Sequence, residues 1–332
     1  MPTTSETIAY DTFLTLTIKN YDKQLQKNFL KYRPAVNVLF DDYAHTDTRG
    51  GRYWQGIAEY GTSTSVKFFN GADTFAQEPS QTAQPIMYQW KYMGGTVSMT
   101  KTEMLENSGP VALADIAETR INQVLRTQNL VLGNEIFSNG TNYGGNTIVG
   151  LGAGIATDNT TVVGGLDPAT FPFWRNSYRT SCGSFAAYGV NGATADYVIQ
   201  MFNNVTDGMF DKPSCIISDQ ATWEYYSKTN TNLTRYIRES GAGSKADLSF
   251  SDFMGLQYQN VPWYWDRQCP SGTLYFLNKN YCHFMVDPRY QFQWTDPLTY
   301  PNQLAYTRIV GTRMALVYKS RMFLGVMTGW TA

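Results

Sequence analysis

Two histidines, four cysteines and scattered carboxylates are the side chains on which catalysis could be built. His45 and His283 would each need a nucleophile beside them for a Ser-His-Asp or Cys-His mechanism. Cys282 and His283 are adjacent in a stretch that reads as a strand, where neighbouring side chains point to opposite faces. A core or edge histidine is therefore expected, and no joint site. Cys182, Cys215, Cys269 and Cys282 form no CxxC and no zinc-ligand spacing. The run from Ile148 to Gly154 has the look of a dinucleotide loop. The third glycine's place is held by Ile155, however, and a polar Thr157–Thr161 segment stands where a helix should open. No P-loop, HExxH or EF-hand pattern appears, so no cofactor or metal is expected. Asp41, Asp42, Glu103 and Glu106, with so many aromatics about, could flank a sugar. A glycosidase or carbohydrate-binding protein is the alternative from another class, although spacing alone identifies no catalytic pair.

The composition narrows the field further. A chain of 332 residues is long enough for two lobes and a large core without disulfides, so the cysteines read as free buried thiols. Met1–Glu6 is polar and no apolar run follows it, which predicts a cytosolic protein. The four Asn-x-Thr matches are then chance, and no apolar run approaches a membrane span. A net charge of -1 excludes a chain that binds nucleic acid through its overall charge, though a local basic patch remains open. Charged residues at 16% against aromatics at 15% suit a surface covered by other protein, or a β-rich domain with an aromatic core.

The elements that would position these residues follow from periodicity. The first forty residues read as an arm in which Asp22–Tyr32 carries Leu25, Phe29 and Leu30 at helical spacing, with Lys23, Lys27 and Lys31 on the wet side. Pro34 is expected to end that helix. Eleven residues are marginal alone, so it must dock on its own chain or on a neighbour. Residues 50–100 read as a long hairpin: Tyr53–Tyr60 and Val66–Phe69 outward, then Tyr88, Trp90 and Tyr92 alternating on one return face. These aromatics have no evident cover in the chain and are expected to meet other subunits. Trp90→Ala should then impair assembly and spare the monomer, and replacing residues 52–92 by a short bridge should leave a folded protein. Pro110 opens a helix of about 28 residues, whose apolar spacing runs from Leu113 to Ile136 and which Gly140 closes. Short strands follow through Val163. A second helix begins near Thr194, Cys215–Ile217 is a buried strand, and Gln220–Ser227 is a short helix. Leu256–Trp265, Leu274–Leu277 and Tyr281–Val286 read as strands, and Leu304–Ala332 as two long ones. The class is α+β.

Several stretches, in this order, resemble the HK97-fold major capsid proteins of tailed bacteriophages. Val97–Lys101 with Glu106-Asn107 resembles the strand leading into that family's spine helix. Asn134–Thr141 is similar to the end of the spine, and Ile148–Leu151 to the strand after it. Trp174-Arg175-Asn176 after Gly164–Asp167 resembles a subgroup signature, and Pro213–Ser218, Asp266–Pro270 and Leu277-Asn278 resemble the axial lobe. The resemblance implies an HK97-like fold with an N-terminal arm (1–45), an extended hairpin or E-loop (46–100), a peripheral domain (101–190 and 301–332) holding the spine helix at about 109–139, and an axial domain (191–300). It implies no catalysis and no cofactor. The expected partners are copies of the chain in hexamers and pentamers, a portal, scaffolding or cement proteins, and packaged double-stranded DNA held without sequence reading. No membrane is expected. The expected place is the virion, after assembly in the host cytoplasm. With about forty residues before the hairpin, a separate scaffolding protein is expected, and Lys67 reads as a solvated lysine where some members crosslink. An encapsulin-like compartment shell is the nearest alternative. The expected inter-subunit contacts are Leu25, Phe29, Tyr53, Trp54, Tyr60, Phe68, Phe69, Tyr88, Trp90 and Tyr92.

Overall fold

The computed structural model of the chain describes residues 33–41, 43–47, 50–61, 66–71, 73–74, 82–106, 110–184, 195–207, 211–229, 256–299 and 304–331. Within these, the side chains of 41, 104–106, 110–115, 195–196 and 228–229 are not described. The expected helix at Asp22–Tyr32, with Leu25 and Phe29, lies outside the described residues.

The described chain opens with α1 (Pro34–Asp41) and β1 (Ala44–Thr46). The hairpin strands β2 (Tyr53–Glu59) and β3 (Ala83–Gln89) follow, then β4 (Lys91–Thr100). Next come the helices α2 (Lys101–Glu106) and α3 (Pro110–Ile136). The strands β5 (Ser177–Arg179) and β6 (Gly183–Ser184) precede α4 (Ala195–Asn204), β7 (Cys215–Ser218) and α5 (Gln220–Thr229). The rest is mostly strand: β8 (Gln257–Tyr258), β9 (Val261–Trp265), β10 (Leu274–Leu277), β11 (Cys282–Val286), β12 (Gln293–Trp294), β13 (Leu298–Thr299), β14 (Ala305–Tyr318), β15 (Gly325–Met327) and β16 (Trp330–Thr331).

Two six-stranded sheets organise these elements. The first runs β1-β11-β14-β12, with β13 and β4 also paired to β14. The second runs β5-β15-β10-β7-β9-β8. β14 and β4 form one antiparallel ladder from Ala305↔Thr100 to Met314↔Lys91. The helix α3 packs on β4 and turns Ala117, Ile121, Leu125, Leu132 and Ile136 into the core at the three- and four-residue spacing of a helix face. In the second sheet β7 and β10 are buried along their whole length, which explains their unbroken apolar runs. Val198, Met201, Phe202 and Val205 close its core from α4.

Four readings of the sequence need correction. Pro34 opens the helix α1, which the reading of Pro34 as a helix stop had not anticipated. At the first helical position its missing N–H belongs to no intrahelical bond, and the next amide, Ala35 N, donates to the buried Asp266 carboxylate at 3.1 Å. Leu256–Trp265 is a hairpin and not one strand, because Gln259 and Asn260 take left-handed φ values of 49° and 62° between β8 and β9. Only one long strand lies near the C-terminus: after β14 the chain crosses to the second sheet as β15. Ile148–Leu151 is not a strand, since Leu151–Gly154 coils into a helical turn. The glycines of that run serve packing. A side chain at Gly150 would fall 2.4 Å from the Glu135 carbonyl, and one at Gly154 would enter the Tyr318 ring.

Candidate assembly surface

The β2–β3 ribbon has two unlike faces. Register pairs Trp54 with Tyr88 and Gly56 with Ile86 on one face, and Tyr53 with Gln89, Gln55 with Met87 and Ile57 with Pro85 on the other. The first face is turned into the chain's own core. Trp54, Ala58, Ile86, Tyr88 and Trp90 are all buried there. The Trp54 ring folds over Gly56, where a Cβ would fall 2.5 Å from it. Tyr88 donates its hydroxyl to the Tyr318 carbonyl at 3.1 Å, and Met87 N donates to the Gly164 carbonyl at 2.9 Å. Gly164 has a φ of +64°, and a side chain on it would press on the Tyr88 ring. Burial pushes the Tyr88 phenol far above its ordinary range, which keeps the hydroxyl a donor. The strand breaks at Trp90, whose indole lies 4.7 Å from the Arg313 guanidinium. Arg313 is itself paired with Asp287 at 2.8 Å.

The expectation that Tyr88 and Trp90 lack cover is therefore overturned. The alternation holds for Tyr88 and Trp90 but not for Tyr92, which lies exposed past the break, and the surface beneath the first two comes from β14 and from the Val163–Leu166 turn, distant in sequence. The other face is open. Ile57 is 70% exposed, Met87 47% and Tyr53 44%. Beyond β2, Val66, Phe68 and Phe69 are 82%, 105% and 64% exposed. Tyr60 is an intermediate case, stacked on Phe173 at 4.2 Å. Ile57, Met87 and Val66 were not among the expected contacts, which had been chosen for their aromatic rings.

The motif residues hold the two sheets and α3 together. Trp174 is buried and donates its indole N–H to the Val163 carbonyl at 2.9 Å. Asn176 donates to the Ala156 carbonyl and accepts from Arg321, each at 2.8 Å. Arg321 is fully buried, and its Nε also donates to the Gly154 carbonyl. Asp266 joins α1 to β9 through Ala35, and Gln268 donates to Leu130 and Asn134 of α3. Gly133 admits Gln268, since a Cβ there would clash with its amide oxygen. Asn278 donates to Asp211 at 2.7 Å.

The candidate chemical groups are placed as follows. His45 and His283 meet edge to face at 4.2 Å, through the parallel pairing of β1 with β11. His283 Nε2 lies 3.0 Å from the Asn280 carbonyl. Burial, then Lys319 and His45, push His283 down to about 4. Glu103 belongs to a capping box: its carboxylate accepts from Thr100 N at 3.0 Å, and its amide donates to Thr100 Oγ1 at 3.3 Å. It also pairs with Arg120 at 2.5 Å, which with the Thr100 bonds brings it down to about 2. The four cysteines are buried and free. Among the described residues no cluster of three His, Cys, Asp or Glu could hold a metal ion, and no helix is long and apolar enough to cross a membrane.

No family model and no curated protein matches the sequence. Solved structures do. The capsid asymmetric unit of cyanophage A-1(L) aligns over 90% of this chain and 93% of its own, with a TM-score of 0.64 at 13% identity. The capsid of a native GTA particle aligns over 89% and 90%, with a TM-score of 0.54 at 10% identity. The chain has the HK97-like capsid fold. The SrpI encapsulin complex of Synechococcus elongatus PCC 7942 aligns less well, over 86% and 85%, with a TM-score of 0.50 at 9% identity. At these identities the fold is what is shared. On this HK97-like fold the outer face of the β2–β3 ribbon leaves Tyr53, Ile57 and Met87 exposed.

Proposed function

We propose that the chain is a major capsid protein, without catalytic activity, that assembles through hexamers and pentamers into an icosahedral shell around double-stranded DNA. The observation that carries this reading is the end-to-end alignment with a phage capsid subunit, nearly complete on both chains. The open ribbon face supports it, because Tyr53, Ile57, Met87 and Phe68 make an apolar surface of the kind that marks a protein contact. In this reading β2–β3 is the E-loop, α3 the spine helix, the first sheet with α3 the peripheral domain, and the second sheet the axial domain. A net charge of -1 fits a shell that holds DNA weakly and without sequence preference.

The test is to purify the recombinant chain, concentrate it, and examine it by sedimentation and negative-stain microscopy. Closed shells with five- and six-fold capsomers are expected. A chain that stays monomeric with scaffold and portal partners supplied would overturn the proposal. Nucleic acid recovered from particles made in an infected or induced host distinguishes a virion from an encapsulin-like compartment, which would carry protein cargo.

A further inference from the structure

We propose that Asn70 is a site of spontaneous deamidation, with the backbone amide of Gly71 as its nucleophile. The chemistry does not depend on the shell reading. The Gly71 nitrogen attacks the side-chain acyl carbon of Asn70 as its proton passes to solvent. A new N–C bond closes a five-membered succinimide, the C–N bond of the side-chain amide breaks, and ammonia leaves. Water then opens the ring at either carbonyl, giving aspartate or isoaspartate. The sum is asparagine and water to a carboxylic acid and ammonia, with no change of oxidation state and no cofactor.

The fold treats two Asn-Gly steps of the chain differently. At the first, Gly71 N donates to Asn70 Oδ1 at 3.0 Å. That oxygen is bonded to the acyl carbon, so the nucleophile is held beside the atom it must reach, and such positioning accelerates an intramolecular step. Asp73 holds the asparagine from both sides. Its amide donates to the Asn70 carbonyl at 2.8 Å, and its carboxylate accepts from Asn70 N at 3.3 Å. Lys67 lies 3.9 Å from that carboxylate and offsets a charge that would oppose an anionic nitrogen. Asn70 and Gly71 are both exposed, so water reaches the ring. A Cβ on Gly71 would meet nothing within 4 Å, so packing does not hold the glycine, and its backbone is free to turn into the ring. At Asn139-Gly140 the same pair is disarmed. Gly140 N donates instead to Ser138 Oγ at 3.2 Å. Asn139 Oδ1 is turned to Thr141, accepting from its hydroxyl at 2.7 Å and its amide at 3.3 Å. Gly140 is also held at a φ of +81°, with the Ile148 carbonyl 3.3 Å from where a Cβ would stand. Exposure does not separate the two sites, because Asn139 is exposed as well. Asn191-Gly192 lies outside the described residues. The product at Asn70 adds a carboxylate close in sequence to Phe68, whose ring is fully exposed. Any partner that covers that ring must then desolvate a charge. On the shell reading, the loop thus limits how long a subunit stays competent to assemble.

The test follows both sites in the full-length chain, aged in mildly alkaline buffer, digested, and read by mass spectrometry of the peptides. In the folded chain Asn70 should react about tenfold faster than Asn139. In urea, where neither geometry survives, the two rates should converge. Equal rates in the folded chain would overturn the proposal, and so would a gap of the same size in urea, because it would place the difference in the sequence alone. Gly71→Ala, for which the structure has room, should slow Asn70 and leave Asn139 as it was; an unchanged Asn70 rate would also overturn the proposal. Sedimentation reads the consequence. The aged chain should lose shell formation in step with conversion at Asn70, and aged Gly71→Ala should keep it. Parallel loss in both would overturn the effect on assembly, while the peptide rates still decide the chemistry.

Discussion

Trp90 and Ile57 lie on opposite sides of one ribbon and should behave in opposite ways when replaced. Trp90 is buried under Arg313, so Trp90→Ala should cost the monomer about 3–5 kcal/mol, read as a shift in the urea midpoint. Ile57 is open, so Ile57→Asp should change monomer stability by no more than about 0.5 kcal/mol and abolish assembly. A stable Trp90→Ala monomer would show that the ribbon does not pack as described. His283 makes a pH-dependent contribution of fixed sign. Its folded value is pushed down to about 4 from an ordinary 6.5. Above 6.5 both states are neutral and nothing is lost. As pH falls from 6.5 towards 4 the unfolded chain takes up the proton first, and stability declines across that window. Urea midpoints between pH 7 and pH 4.5 should show this fall, and His283→Gln should flatten that part of it. The sequence revealed the parity of the Trp90 strand but not its cover. It also kept His45 and His283 apart, since only the β1–β11 pairing brings them together and no local pattern encodes that pairing.

At the scale of elements, the periodic pieces were the legible ones. Pro110–Ile136, Ala195–Asn204, Cys215–Ser218 and Gln220–Thr229 fall where apolar spacing, caps and turn residues put them. What escaped were junctions. Pro34 suits either a helix stop or a helix start, and the deciding group, Asp266, is 232 positions away from it. The ribbon was judged separable from the body for want of visible cover. Its inner row is core, so cutting out residues 52–92 should unfold the monomer. The sharper test is at the far end of the ribbon. Phe68→Ser should leave the monomer's melting midpoint within about 2 °C and prevent shell formation, compared by calorimetry and sedimentation. A large drop in midpoint would place this ring on the chain's own body.

For the whole molecule, the balance of surfaces sets how association responds to solvent. Few charges and an open apolar face predict assembly that changes less than about threefold between 0.05 and 0.5 M salt, where charge-driven association would weaken steeply. Light scattering against salt would show which regime holds. The α+β class was legible in the alternation of strand and helix signals, whereas the split into two sheets was not, because β14 and β15 are consecutive in sequence and belong to different sheets. The β4–β14 ladder has a mechanical side as well. Its ten consecutive register pairs lie along one axis, and the other edge of β14 is held by β11, β12 and β13. Pulled along that axis, the strands must slide, and every hydrogen bond of the ladder stretches at once. Pulled across it, the bonds open one after another from an end. The same ladder is therefore stiff against tension in one direction and yielding to peeling in the other, so a subunit stretched by pressure from within would resist best with β14 lying in the plane of the strain.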